Sequence, residues 1–156
     1  MGIQMISEEY RQMNKDLHAA RKTYGASGHR WAEYLTSVVS EGVSVLDYGC
    51  GKGTLKAALP DMDIREYDPA VEGKDAPPDE ASIVVCTDVL EHIEPEYLES
   101  VLAHIKSLAV DAALLVVATR PANKTLPDGR NAHLIIEGPD WWRDKISEHF
   151  EVVVFN

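Results

Sequence analysis

An α/β fold with one doubly wound, mostly parallel sheet flanked by helices is the architecture this sequence predicts. Short runs that are almost wholly apolar and rich in β-branched residues, VSVLD, ASIVVCTD and AALLVVAT, suit strands buried on both faces. Stretches with apolar residues at helical spacing lie between them, and strands alternating with helices give a parallel sheet. A third observation marks the ligand end: alternate glycines, Gly49, Gly51 and Gly53, follow the first strand directly. In such sheets ligands bind beyond the carboxyl ends of the strands, where strand order reverses.

The elements follow in order. SEEYRQMNKDLHAARKTYG reads as a helix, with Ser7 as N-cap, Glu8 and Glu9 in the first turn, and Gly25 at its end. Tyr10, Met13, Leu17 and Tyr24 fall at helical spacing. HRWAEYLTSVVS, from about residue 29 to 40, gives a second helix, and VSVLD the first strand. GTLKAAL is a short helix ended by Pro60, DIREYD a second strand and ASIVVCTD a third. Glu94-Pro95 opens another helix, since proline fits the first helical position. There Leu98, Val101, Leu102, Ile105 and Leu108 make one apolar stripe. AALLVVAT is a further buried strand, followed by the long loop PANKTLPDGRNAHL, the helix GPDWWRDKISEHF and a last strand, EVVVF. Trp141 and Trp142 are adjacent on one helix, so both cannot face the core.

A chain of 156 residues, 45% hydrophobic and 26% charged, suits one globular domain with a real core. The expected division is a helical lid over 1–40 and a core over 43–156. No apolar run approaches the ~20 residues a bilayer span needs, and MGIQMISEEYRQ lacks the basic and apolar regions of a signal peptide. Cys50 and Cys86 are expected to be reduced thiols in a cytoplasmic protein. No CxxC or HxxxH spacing points to a metal. The net charge of −11 is concentrated in residues 31–119, which carry five Lys/Arg and seventeen Asp/Glu. That acidity disfavours an extended nucleic-acid partner and leaves room for a small anion held by local basic groups.

The glycine loop is not a P-loop, because no glycine stands five positions ahead of Gly51 and Lys52 is followed by Gly53. The dinucleotide fingerprint is incomplete, with Thr54 where its third glycine belongs. The pattern VLDYGCGKG instead resembles the first motif of class I S-adenosylmethionine-dependent methyltransferases. REYDPA ends the second strand with Asp68, an acid able to accept both hydroxyls of a ribose. CTDVLEHIEP resembles a later strand end of the same superfamily. The resemblance covers about residues 43–118.

What the resemblance implies is an S-adenosylmethionine site. Asp47 would position the loop and face the methionine amino end, and Gly49, Cys50, Gly51 and Gly53 would line the cofactor with backbone. Asp68 would hold the ribose, Pro69 would shape the adenine pocket, and Thr87, Asp88 and Val89 would lie under the methionine and sulfonium. Only PAVEGKDAPPDEAS separates Asp68 from Ile83, so the family's third strand is expected to be reduced, with Asp75 the nearest candidate for an adenine contact. The terminal β-hairpin is likewise expected to be reduced. KTYGASGHRW could fold over the cofactor as a lid, with Lys22, Tyr24 and Ser27 as contacts.

Methyl transfer from a sulfonium needs orientation and, for alcohol or ammonium acceptors, a base. His92 and His133 are the rival candidates. Arg120, Lys124 and Arg130, on the loop with His133, are a candidate seat for a carboxylate or phosphate. The expected activity is methyl transfer to a small or medium-sized acceptor, anionic if that loop seats it. The alternatives are a non-catalytic S-adenosylmethionine-binding module or subunit, another adenosyl-sulfonium chemistry such as aminopropyl transfer, and an NAD-binding protein. A partner subunit, as in a homo-oligomer, is one way for so small a domain to complete an open site.

Overall fold

A computed structural model describes residues 4–20 and 26–150. Four parallel strands form one sheet in the order β2-β1-β3-β4: β1 Val45–Tyr48, β2 Ile64–Tyr67, β3 Ala81–Thr87 and β4 Ala109–Val116. Parallel pairing aligns Val45 with Ile64 on one side and with Ile83 on the other. The chain thus steps outward from β1 to β2 and then returns to the opposite side of β1. Strand order reverses between β1 and β3, which is where such sheets hold ligands.

Helices cover both faces because the strand side chains alternate. Val45, Ile64 and Val85 pack with Leu35 of α2 (Ala32–Val38) and Leu55 of α3 (Thr54–Ala58). Leu46, Val84 and Cys86 pack on the other face with α4 (Leu98–Leu108) and with Trp142 of α5 (Pro139–Ser147). The whole predicted stripe of α4 is buried. Of the paired tryptophans, Trp142 is buried and Trp141 is exposed. Both cysteines are free thiols, and burial pushes each pKa up.

The sequence reading holds at one notable place and is altered at two others. No strand lies between Tyr67 and Ala81 among the described residues, so the reduction expected there is real. β4 starts at Ala109, ahead of AALLVVAT, and is half-exposed rather than buried, since among the described residues it pairs only with β3. The second helix begins as a 3₁₀ turn at Gly28–Trp31 before α2. The strand expected at EVVVF lies outside the described residues, as do Lys22, Tyr24 and Gly25.

The first helix, α1 (Glu8–Ala20), crosses the ligand end of the sheet. Ser7 caps it as expected: its Oγ accepts the Tyr10 N–H at 3.2 Å. The rest of its attachment is long-range. Glu94 accepts from the Ser7 N–H (2.8 Å) and hydroxyl (2.7 Å), and the Tyr10 hydroxyl donates to the His92 carbonyl at 2.5 Å. Arg11 donates to the Pro69 carbonyl at 2.7 Å and pairs with Asp75 at 3.1 Å. Among the described residues, no helix is long and apolar enough to cross a membrane.

Candidate functional site

The loop after β1 is shaped by its neighbour β2. The N–H groups of Gly49 and Cys50 both donate to the Tyr67 carbonyl, at 2.7 and 3.1 Å. One Asp68 carboxylate oxygen accepts the Gly51 N–H and the other the Ala70 N–H, both at 2.9 Å. A carboxylate has about four acceptor positions, so Asp68 clasps the loop and keeps capacity for further donors. The glycines are bare for different reasons. Gly49 has φ +80°, and a Cβ there would drive into Val89. Gly53 has φ +76°, and a Cβ there would strike the Glu66–Lys74 ion pair, not a ligand.

A cavity of about 380 Å³ opens at this end of the sheet. Gly49, Asp68, Pro69 and Ala70 line one side, with Tyr48 and Tyr67 beneath. Asp88 and Val89, after β3, line the middle. His92, His133, Arg120, Asn123 and Lys124 line the far side, while Tyr10, Asn14 and His18 of α1 roof it and Ser27 and Arg30 close one edge. Of the residues proposed from sequence, Gly49, Asp68, Pro69, Asp88, Val89, Ser27, His92 and His133 therefore meet at one cavity. Asp47, Cys50, Gly51, Gly53 and Thr87 do not line it: Asp47 and Thr87 lie in β1 and β3, and Cys50, Gly51 and Gly53 lie in the loop away from the cavity wall. Asp75 is engaged by Arg11, and Arg130 pairs with Asp128 at 2.7 Å.

Burial sets the charges around the cavity. Asp47 is 3% exposed, and its Oδ2 is sealed without a partner. Desolvation, reinforced by Glu66 and Asp68 and opposed by Lys74, raises its pKa to about 7. Glu91 is fully buried and accepts the Ala118 N–H just past β4. Desolvation lifts its pKa to about 7, against the pull of that hydrogen bond. His92 moves oppositely: desolvation, then repulsion by His133, lowers its pKa to about 4.

The loop after β4 is tied by backbone bonds, Leu126 N–H to the Arg130 carbonyl and Ala132 N–H to the Lys124 carbonyl, and by side chains. Asn131 Oδ1 accepts the N–H groups of Ala122 (3.0 Å) and His133 (2.9 Å), while its Nδ2 donates to the Ala122 carbonyl at 3.0 Å. Tyr10 of α1 packs against Leu126 and Ala132. The two histidines meet edge to face, ring centroids 4.7 Å apart. Sequence reasoning did not single out Glu91, Glu94, Asn131 or Arg30. Glu94 and Asn131 carry no local pattern, and Glu91 offered one signal, its place within the DVLEH stretch that follows β3.

A doubly wound parallel sheet, a glycine-bearing loop after its first strand and a cavity at its switch point define a Rossmann-like α/β domain, with its cavity where such folds bind ligands. The model of the methyltransferase domain family matches residues 11–154, and the chain belongs to that family. A search of curated proteins found no match. The family implies S-adenosylmethionine, and the residues present fit it: Asp68 faces the cavity with spare acceptor capacity, and Gly49 offers a bare backbone there.

Proposed function

We propose that the protein transfers a methyl group from S-adenosylmethionine to a small or medium-sized anionic molecule. One observation carries this: a single cavity joins the Gly49–Asp68 side to a side bearing His92, His133, Arg120 and Lys124. Its volume of about 380 Å³ lies within the range of small-molecule sites and is small for a macromolecular acceptor.

Asp68 would accept the ribose hydroxyls, with Pro69 and Ala70 bounding the base. Gly49, Asp88 and Val89 would lie along the methionine, with Ser27 at its edge. Asp47, Cys50, Gly51, Gly53 and Thr87 would act through the loop's shape. When bound, the sulfonium supplies an electrophilic methyl. The chain's own residues orient the acceptor, keep water out beneath α1 and receive a proton. Arg120 and Lys124 supply positive charge that a carboxylate or phosphate on the acceptor would meet.

Calorimetry with S-adenosylmethionine and S-adenosylhomocysteine tests the reading. Both should bind, and Asp68→Asn should weaken them by roughly 1–3 kcal/mol, the scale of losing hydrogen bonds to a charged group. Absence of any heat at millimolar ligand would overturn it.

A further inference from the structure

The two cavity histidines are not equivalent. His133 Nδ1 lies 2.5 Å from the Arg120 carbonyl oxygen. A carbonyl only accepts, so Nδ1 carries the hydrogen and Nε2 keeps the lone pair. Nε2 has no hydrogen-bond partner among the described residues and is not sealed away. The Asn131 side chain fixes the same residue through its N–H, so the ring is held at both ends of its short tether. His92 is placed otherwise. Its Nδ1 is enclosed with no partner among the described residues, and its ring sits edge to face against His133. With a pKa pushed down to about 4, it is a weak proton acceptor near neutrality. It serves as a neutral wall that fixes the plane of His133.

We propose that Nε2 of His133 is the proton acceptor of the transfer, and that the methyl acceptor is an anionic molecule methylated at a hydroxyl or amine nitrogen. This rests on the functional reading above. Arg120 acts twice: its carbonyl sets the tautomer of the base, and its side chain, with Lys124, faces the anionic group. The acceptor's oxygen or nitrogen lone pair forms the bond to the methyl carbon as the carbon–sulfur bond breaks. That bond's electron pair leaves on sulfur, giving a neutral thioether. The proton lost by the acceptor passes to Nε2 and then to solvent when product leaves. A carboxylate or thioether acceptor has no proton to give and would leave this base unused.

Two-bond ¹H–¹⁵N spectra of the histidine rings in the full chain test the assignment, with His92→Asn and His133→Asn used to identify signals. His133 should show a protonated Nδ1 and a bare Nε2, the less common tautomer; a protonated Nε2 overturns the proposal, and the wild-type spectrum alone decides it. Lactate and propionate then serve as probes, alike in charge and size but not in the hydroxyl. Lactate should move the Nε2 signal further than propionate, and equal shifts overturn the acceptor class. Arg120→Gln should keep the tautomer, since the carbonyl remains, and weaken the lactate response about tenfold, the scale of losing one charge-assisted contact. An unchanged response removes Arg120 from the anion seat. None of these readouts needs S-adenosylmethionine, so failure of the calorimetry would sink the functional reading and the role of His133 in transfer with it, while the tautomer and the anion seat would stand or fall by the spectra alone.

Discussion

The loops after β1 and β4 stand at the same edge of the sheet and hold their shape by different means. The first is bound through its own backbone to the adjacent strand, by the Tyr67 carbonyl and the Asp68 carboxylate. The second closes on itself, the N–H groups of Leu126 and Ala132 donating to the Arg130 and Lys124 carbonyls, and is tied further by side chains, the Asn131 amide and the packing of Tyr10 on Leu126 and Ala132. A backbone-built loop tolerates changes of side chain that do not add atoms where none fit. A loop that leans on side chains for part of its shape can be retuned by single substitutions. On the proposed reading, the side assigned to the cofactor is the one anchored to the sheet, and the side assigned to the acceptor is the one open to retuning.

Gly49→Ala should separate the two most sharply. At φ +80° an alanine pays about 1–2 kcal/mol for its backbone. Its Cβ also meets Val89, and overpacking of that kind adds about 1–3 kcal/mol. We expect the folded chain to lose about 3 kcal/mol of stability, and S-adenosylmethionine affinity to fall as the loop shifts to relieve the clash. Val89→Ala in the same chain should restore only the packing part. Wild-type affinity in Gly49→Ala would show that the first loop is not held by its backbone.

Each half also contains a sealed acid, which gives a test by pH. The pKa of Asp47 rises from 3.8, and that of Glu91 from 4.5, to about 7 in the folded state. Between those limits the folded chain holds protons that the unfolded chain has released. Stability from both groups therefore falls as pH rises toward 7, and is level above it. His92 opposes them: its pKa drops from 6.5 to about 4, so its neutral ring favours folding above 6.5 and loses that advantage as pH falls. Asp47→Asn and Glu91→Gln should each raise the melting temperature more at about pH 8 than at about pH 5, by an amount on the order of 2 kcal/mol. Equal effects at both pH values would mean that the two carboxylates ionise freely.

The same contrast explains what could be read from the sequence. The glycine loop, Asp68 and the α4 stripe were legible because their partners lie within a few turns or one strand of them. The two histidines could be named but not ranked, because the feature that ranks them, the Arg120 carbonyl, is thirteen residues from His133. Glu94 read only as the residue before a helix-starting proline, since its partner Ser7 is 87 residues away. Gly53 matched the motif for a reason the motif does not contain, room for Glu66 and Lys74. Asp75 was the nearest acid to an adenine pocket in sequence, yet it faces Arg11.

Asn131→Ala should break the second loop alone. It removes three hydrogen bonds, an expected loss of about 1–3 kcal/mol confined to residues 121–134. Amide exchange at Ala122 and His133 should quicken, while S-adenosylmethionine affinity stays within about twofold, under 0.5 kcal/mol. A large fall in that affinity would show that the halves are not independent.

The roof is where they could be coupled, because α1 holds on to both. Arg11 reaches the Pro69 carbonyl on the cofactor side, and Ser7 and Tyr10 reach Glu94 and the His92 carbonyl on the acceptor side. Ser7→Ala removes the hydroxyl that caps α1 and binds Glu94 but leaves the Ser7 N–H contact in place. Loss of such a cap costs about 1 kcal/mol, and it should appear as faster amide exchange in the first turn of α1, with little change in global melting. If ligands pass beneath α1, association and dissociation should both quicken by a similar factor, up to about fivefold for 1 kcal/mol, leaving affinity nearly unchanged. Unaltered ligand kinetics alongside faster exchange at α1 would mean that ligands enter by another edge, beside Ser27 and Arg30, and that the helix is a fixed wall.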